Sequence, residues 1–301
     1  MIERGGTYPE SDLDPLDAAL CFLDRENYFR ALKKKVEAIA ASRHGSAVVV
    51  VPGVAADMPD RFALRVADRE HGVFKDAQDL DIYPWPEDPV PQNGLDGLMV
   101  SLAENLVSTV GTSGRREQSD RQEAARGEDV SPGPFPGRKA LEGTLRAQDG
   151  YFVFRHSLSS VRLRRDPLLE ATLREWLDYF ARDCVGPRSG MLLGLLLVEY
   201  KEKPTADCEK LQEILRRLCS SHDRAVLLEP LPHVYVDEVK GWVDAVTRRP
   251  PLSQWKRALE SVHAELCEVE DQFRLLPVRK AILKYAQESP MRPRWSATHG
   301  A

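Results

Sequence analysis

The sequence predicts an α/β fold: a three-layer sandwich around a parallel five-stranded sheet of the P-loop-NTPase type, with helices added at the C-terminal end. Three observations carry this. Ser46–Gly53 runs apolar and β-branched into a glycine turn, and a helical pattern follows at once. Strand-like and helix-like segments then alternate as far as residue 228. From Asp237 on, the apolar spacing is helical only.

Each element has its own reason. Asp24 reads as an N-cap, and the helix after it sets Phe29, Leu32, Val36 and Ile39 on one face. Lys33, Lys34 and Lys35 form its solvated side, and Gly45 ends it. The strand Ala47–Val51 is continuous in apolar residues, as a strand covered on both faces requires. Asp57 can cap the next helix, with Pro59 in its first turn. A second strand over Asp79–Tyr83 stops at Pro84-Trp85-Pro86, which with Pro89 and Pro91 makes a stiff extended loop. Leu95, Leu98, Met99, Leu102 and Leu106 mark an amphipathic helix. Residues 111–139 have almost no large apolar groups to offset the entropy of ordering, and read as a flexible insertion.

The third strand is Tyr151–Arg155, and a helix over Pro167–Cys184 carries Leu169, Leu173, Trp176, Leu177 and Phe180. Met191–Tyr200 is the fourth strand. The helix Ala206–Ser221 buries Leu211, Ile214, Leu215 and Leu218, and Ala225–Leu228 is the fifth strand. Val239, Trp242, Val243 and Val246 stripe one C-terminal helix; Trp255, Leu259, Val262 and Leu266 stripe the next. A last helix starts near Asp271, with Pro277 interrupting it. The expected division is a P-loop-like domain over 1–246 and a helical appendage over 247–301.

With 301 residues, 42% hydrophobic, 30% charged and a net charge of -5, the chain has ordinary globular composition and lacks the charge of a nucleic-acid arm. The apolar run Met191–Val198 is too short to span a bilayer. No apolar stretch follows the first charges, so no signal peptide is expected. Five cysteines, at 21, 184, 208, 219 and 267, show no C-x-x-C spacing, which fits a reduced cytoplasmic protein with core thiols.

The turn at Gly53 is where a nucleoside triphosphatase carries G-x-x-x-x-G-K-[ST], whose amides and Lys hold phosphates. Here there is one Gly, with no Lys and no Ser/Thr ligand for magnesium. Gly53, Asp57 and Arg61 could still offer helix N-terminal amides to an anion. A plain βα turn explains them as well, and the Asp57 carboxylate repels phosphate. Glu199 stands at a strand end suited to an acid that activates water, but no second acid precedes it. His156 with Ser157, Ser159 and Ser160 lacks an orienting acid and an oxyanion hole. Cys208 and Cys219 stand about 16 Å apart by helical rise, too far to share a metal with His222 and Asp223. Arg162, Arg164 and Arg165 read as a solvated loop. No catalytic residue, cofactor or metal is expected. Trp85, Trp255 and Phe273 are the candidate contacts for a protein partner, while Trp242 reads as core.

Leu20-Cys-Phe-Leu-Asp-Arg-Glu-Asn-Tyr-Phe29, the strand with Pro52-Gly53, and Glu229-Pro-Leu-Pro-His-Val-Tyr-Val-Asp-Glu-Val-Lys-Gly-Trp242 resemble the inactive STAND domains. These are relatives of the signal-transduction ATPases that have lost their Walker residues. The resemblance covers 16–110 and 150–246, and departs at Asn27 and Pro52, where Gln and a His-Gly ending are usual. It implies a non-enzymatic adaptor in a bacterial conflict or immunity system, binding a partner such as an effector or protease. The competing reading is a nucleotide-binding switch with unusual phosphate contacts.

Overall fold

β1 (Gly45–Val54) is an interior strand of the sheet, and it is buried along nearly its whole length because both of its faces are covered. Val48 and Val50 enter one apolar cluster; Ala47, Val49 and Val51 enter another. The structure, a computed structural model, describes residues 19–20, 23, 25–42, 45–85, 94–113, 136–181, 186–203, 205–248, 256–269 and 271–288. Cys21, Asp24, Cys184, Trp255, residues 86–91 of the proline loop and residues 114–135 lie outside these.

Beside β1 run β2 (Gln78–Pro84), β3 (Asp149–Ser159), β4 (Ser189–Tyr200) and β5 (Ala225–Leu227). Their order is β2-β3-β4-β1-β5 and every pairing is parallel. One face packs on α3 (Gly94–Ser113), α4 (Pro136–Arg146), α6 (Leu169–Phe180) and α7 (Ala206–Ser220). The other packs on α1 (Glu26–Ser42) and α2 (Pro59–Ala67). This is the expected three-layer α/β sandwich, with the strand before the glycine turn inside the sheet between β4 and β5. A short helical turn, α5 (Arg162–Arg165), follows β3.

Several boundaries differ from the sequence reading. Gly45 does not end α1; at φ 136° it opens β1, a backbone angle glycine adopts without strain. β3 is longer than the expected Tyr151–Arg155: it opens at Asp149 and runs past Arg155 through the buried His156 to Ser159. Residues 111–113 belong to α3, and 136–139 open α4, which packs on α3 through Leu141 and Leu145. The expected insertion is therefore shorter than 111–139.

The C-terminal part holds β6 (Val234–Tyr235), α8 (Val236–Val246), α9 (Lys256–Cys267), β7 (Gln272–Phe273) and α10 (Leu275–Glu288). Pro277 does not interrupt α10, since it sits in the first turn, where a missing N–H has no partner to lose. Trp242 and Val239 of α8, Leu259 and Val262 of α9 and Val278 and Ile282 of α10 form a third cluster with Leu20, Leu23 and Met58. The expected boundary at 246/247 runs through this cluster. No described helix is long and apolar enough to cross a membrane.

Candidate functional site

The carboxyl edge of a parallel sheet is where such folds bind ligands. There Gly53 pairs in register with Glu199 of β4, and the chain turns through 55–57 into α2. Asp57 does not cap α2; the N-cap is Met58, in the left-handed region at φ 50° and without a side-chain bond.

Gly53, Asp57 and Arg61 do not make an open cradle. A Cβ on Gly53 would stand 3.3 Å from Leu231 Cδ1, so Leu231 closes the turn from above. The Leu231 N–H donates to the Pro52 carbonyl at 3.0 Å. Asp57 is only 2% exposed. Its Oδ2 accepts from the Val54 N–H at 3.2 Å and from Arg274 Nη1 at 2.8 Å. Its carbonyl accepts from Arg25 Nη1 at 2.9 Å. A backbone amide and a guanidinium thus converge on a carboxylate that belongs to the loop itself. A phosphate loop aims the same donor types at a ligand. The N–H groups of Met58 and Arg61 turn back to the carbonyls of Ala55 and Met58. Arg61 Nε lies 3.9 Å from Asp60 Oδ2.

Arg25 joins this centre to the chain after β5, because its Nε also donates to the Pro232 carbonyl at 3.3 Å. It holds a backbone φ of 112°, which a non-glycine residue keeps only when its surroundings over-determine it. Burial pulls its guanidinium down to about 10, with the Asp57 carboxylate opposing the shift. Arg65, also buried, lies over the Phe29 ring at 4.4 Å and pairs with Glu26. Glu199 is exposed at the strand end, and its partial desolvation, and then Asp60, push its carboxyl above the ordinary value.

The other candidates resolve into structure. His156 is buried among Phe154, Trp176 and Trp85, with ring centroids 5.4, 5.7 and 6.0 Å away, while Ser157 faces outward. Trp85 is 3% exposed and part of the core, which corrects its reading as a partner contact. Phe273 is half-buried against the third cluster, paired through β7 with Val234. His222 bonds Asp178 at 2.9 Å, and burial pushes the Cys219 thiol up to about 12. No group of three potential metal ligands occurs among the described residues. Arg162 donates to the Trp85 carbonyl at 3.2 Å and Arg164 pairs with Asp207, so this cluster is a bonded helical turn.

Sequence reasoning missed Arg25 and Arg274. Arg25 lies inside the motif that carries the resemblance, which was a usable signal. Arg274 has none, standing 217 residues from its partner.

No family model matches the chain, and the search of curated proteins gave no match. The solved structures to which the chain is similar include two archaeal ones. The Aeropyrum pernix ORC2 protein (ADPNP–ADP complexes) is 16% identical, with TM-score 0.40, over 88% of this chain and 68% of that one. The A. pernix ORC1 protein in complex with DNA is 12% identical, with TM-score 0.40, over 90% of this chain and 63% of that one. Likeness at this level adds nothing to what the sheet order itself shows.

Proposed function

We propose that the chain is a non-enzymatic, protein-binding adaptor on a P-loop-like sheet, acting in the cytoplasm in a bacterial defence or signalling system. One observation supports its non-enzymatic character: donors of the loop after Gly53 that could serve a phosphate, the Val54 N–H and Arg274, are engaged by Asp57. Binding a phosphate there would first require breaking a buried ion pair. The adaptor role and the defence setting rest on the resemblance to inactive STAND domains. The test is phosphate release from ATP and GTP with magnesium. The expected rate equals that of a Glu199→Gln variant, and a rate that vanishes in that variant overturns the reading. Co-expression with the products of neighbouring genes tests the partner.

A second reading, a nucleotide-binding switch, draws on a different observation. Arg25 and Arg274 bond Asp57 and Arg61 sits about one turn on, while Glu199 and Asp60 interact nearby. In this reading Asp57 releases Arg274 to a nucleotide. A nucleotide at one hundred times its Kd would then add about 2.7 kcal/mol of stability.

A further inference from the structure

We propose that the open edge of β5 is a docking site for an extended acidic segment of another protein, which adds a strand to the sheet. β5 is last in the strand order. The Val48 N–H donates to the Arg224 carbonyl at 2.9 Å, and the Leu228 N–H to the Val50 carbonyl at 3.0 Å. In a parallel ladder alternate residues bond to the same side. Val226 therefore faces β1, and the backbone groups of Ala225 and Leu227 face away from it. The Ala225 N–H is taken by the His222 carbonyl at 3.3 Å. The Ala225 carbonyl and both backbone groups of Leu227 point out of the sheet, with no described strand beyond them.

A groove of about 430 Å³ lies along this edge. Val226 and Leu227 form its floor, Lys35 of α1 stands on one wall, and Gln212, Arg216 and Cys219 of α7 on the other. α1 and α7 cover opposite faces of the sheet, so the groove has the form that strand addition requires. Main-chain bonds form at the floor, and side chains alternate between the walls.

Charge selects the occupant. Lys35 and Arg216 are exposed, on opposite walls, and neither has an ion-pair partner among the described residues. Glu229 is the acid that lines the groove. Neighbouring residues of an added strand point to opposite walls. Two consecutive acidic residues therefore reach Lys35 with one carboxylate and Arg216 with the other. The shortness of β5 limits indiscriminate pairing, and the paired cations narrow the choice further. The proposal rests on the adaptor reading for the existence of a partner and names the chemistry of that partner.

The probe is a fluorescein-labelled peptide, Val-Thr-Glu-Glu-Val-Thr, followed by anisotropy with the full chain. Saturable binding is expected, with the Lys-Lys counterpart at least tenfold weaker. The double variant Lys35→Glu, Arg216→Glu changes two exposed residues, so its melting curve should match the parent's while the peptide preference reverses. Hydrogen exchange at the Leu227 amide should slow on saturation. No saturable binding up to about 1 mM, equal affinity for both peptides, or unchanged exchange at Leu227 overturns the proposal. So does self-association that protects the Leu227 amide without peptide, which would make a second copy the occupant. Titration with magnesium ATP separates the two ideas. Nucleotide binding alongside intact peptide binding removes the non-nucleotide reading alone; lost peptide binding without nucleotide binding removes this surface alone.

Discussion

Asp57 is almost sealed from water, and its charge is balanced by one amide and by Arg274, whose side chain is 33% exposed. Removing one member of a buried pair costs about 3–5 kcal/mol because the other charge stays behind. The partial exposure of Arg274 lowers the expected cost of Arg274→Ala to roughly 2–3 kcal/mol. Asp57→Ala should cost a similar amount, and the double variant less than the sum. Urea denaturation of the four proteins checks this; additive losses would show that the two side chains are not coupled. Glu199 behaves in the opposite sense. Its folded-state pKa is raised, so its contribution is fully present below the ordinary carboxyl value and is lost as pH rises through the folded one. Glu199→Gln should therefore raise Tm slightly near pH 7 and leave it unchanged near pH 4. A lower Tm at pH 7 would show that the ionised carboxylate is favoured instead. Single residues were the least legible scale in the sequence. Gly53 and Asp57 marked the right loop, but the side chain that answers Asp57 comes from beyond β7, where no spacing rule reaches.

Elements follow more directly from sequence. β1 and β4 are covered on both faces, and burial of that kind forces unbroken apolar runs. β3 is less legible because two polar residues continue it. Arg155 pairs through Nη2 with Asp79 at 2.5 Å, and His156 packs among aromatic neighbours. The same neighbours make Trp176 and Trp85 structural, so Trp176→Ala and Trp85→Ala should each cost about 3–5 kcal/mol. A denaturant midpoint unchanged in Trp85→Ala would return that residue to the surface. α4 was hidden by its Pro136-Gly137 start and its Gly143. Its placement also fixes how far the preceding chain must reach. The Arg138 N–H donates to Asp96 at the opposite end of α3 from Ser113, at 3.1 Å. The ends of α3 and α4 on either side of residues 114–135 therefore lie about 26 Å apart by helical rise. That distance needs at least about 8 extended residues. A Gly/Ser replacement of about 14 residues should fold with little change in Tm, and one of about 6 should not. Equal stability of the two would contradict the placement of α4.

At the scale of the whole molecule, the third cluster ties the segment around Leu20, the loop residue Met58 and the C-terminal helices together. The stripes of these helices were legible, but what they covered was not, since amphipathicity does not name its partner. Truncation after Val246 removes α9 and α10 and uncovers Trp242, Val239 and Met58. The remainder should bind a hydrophobic dye and lose cooperative unfolding; a soluble remainder with a sharp transition would show that the helices are a separate unit. The same cluster carries Arg274 to Asp57, so helical packing and the closed loop belong to one arrangement. On the non-enzymatic reading proposed above, the turn after Gly53 then offers no place for a phosphate. Isothermal titration of magnesium ATP into the full chain measures this most directly. No saturable heat is expected at millimolar nucleotide, whereas a saturable isotherm that Arg274→Ala or Asp57→Ala alters would contradict a loop filled by its own carboxylate.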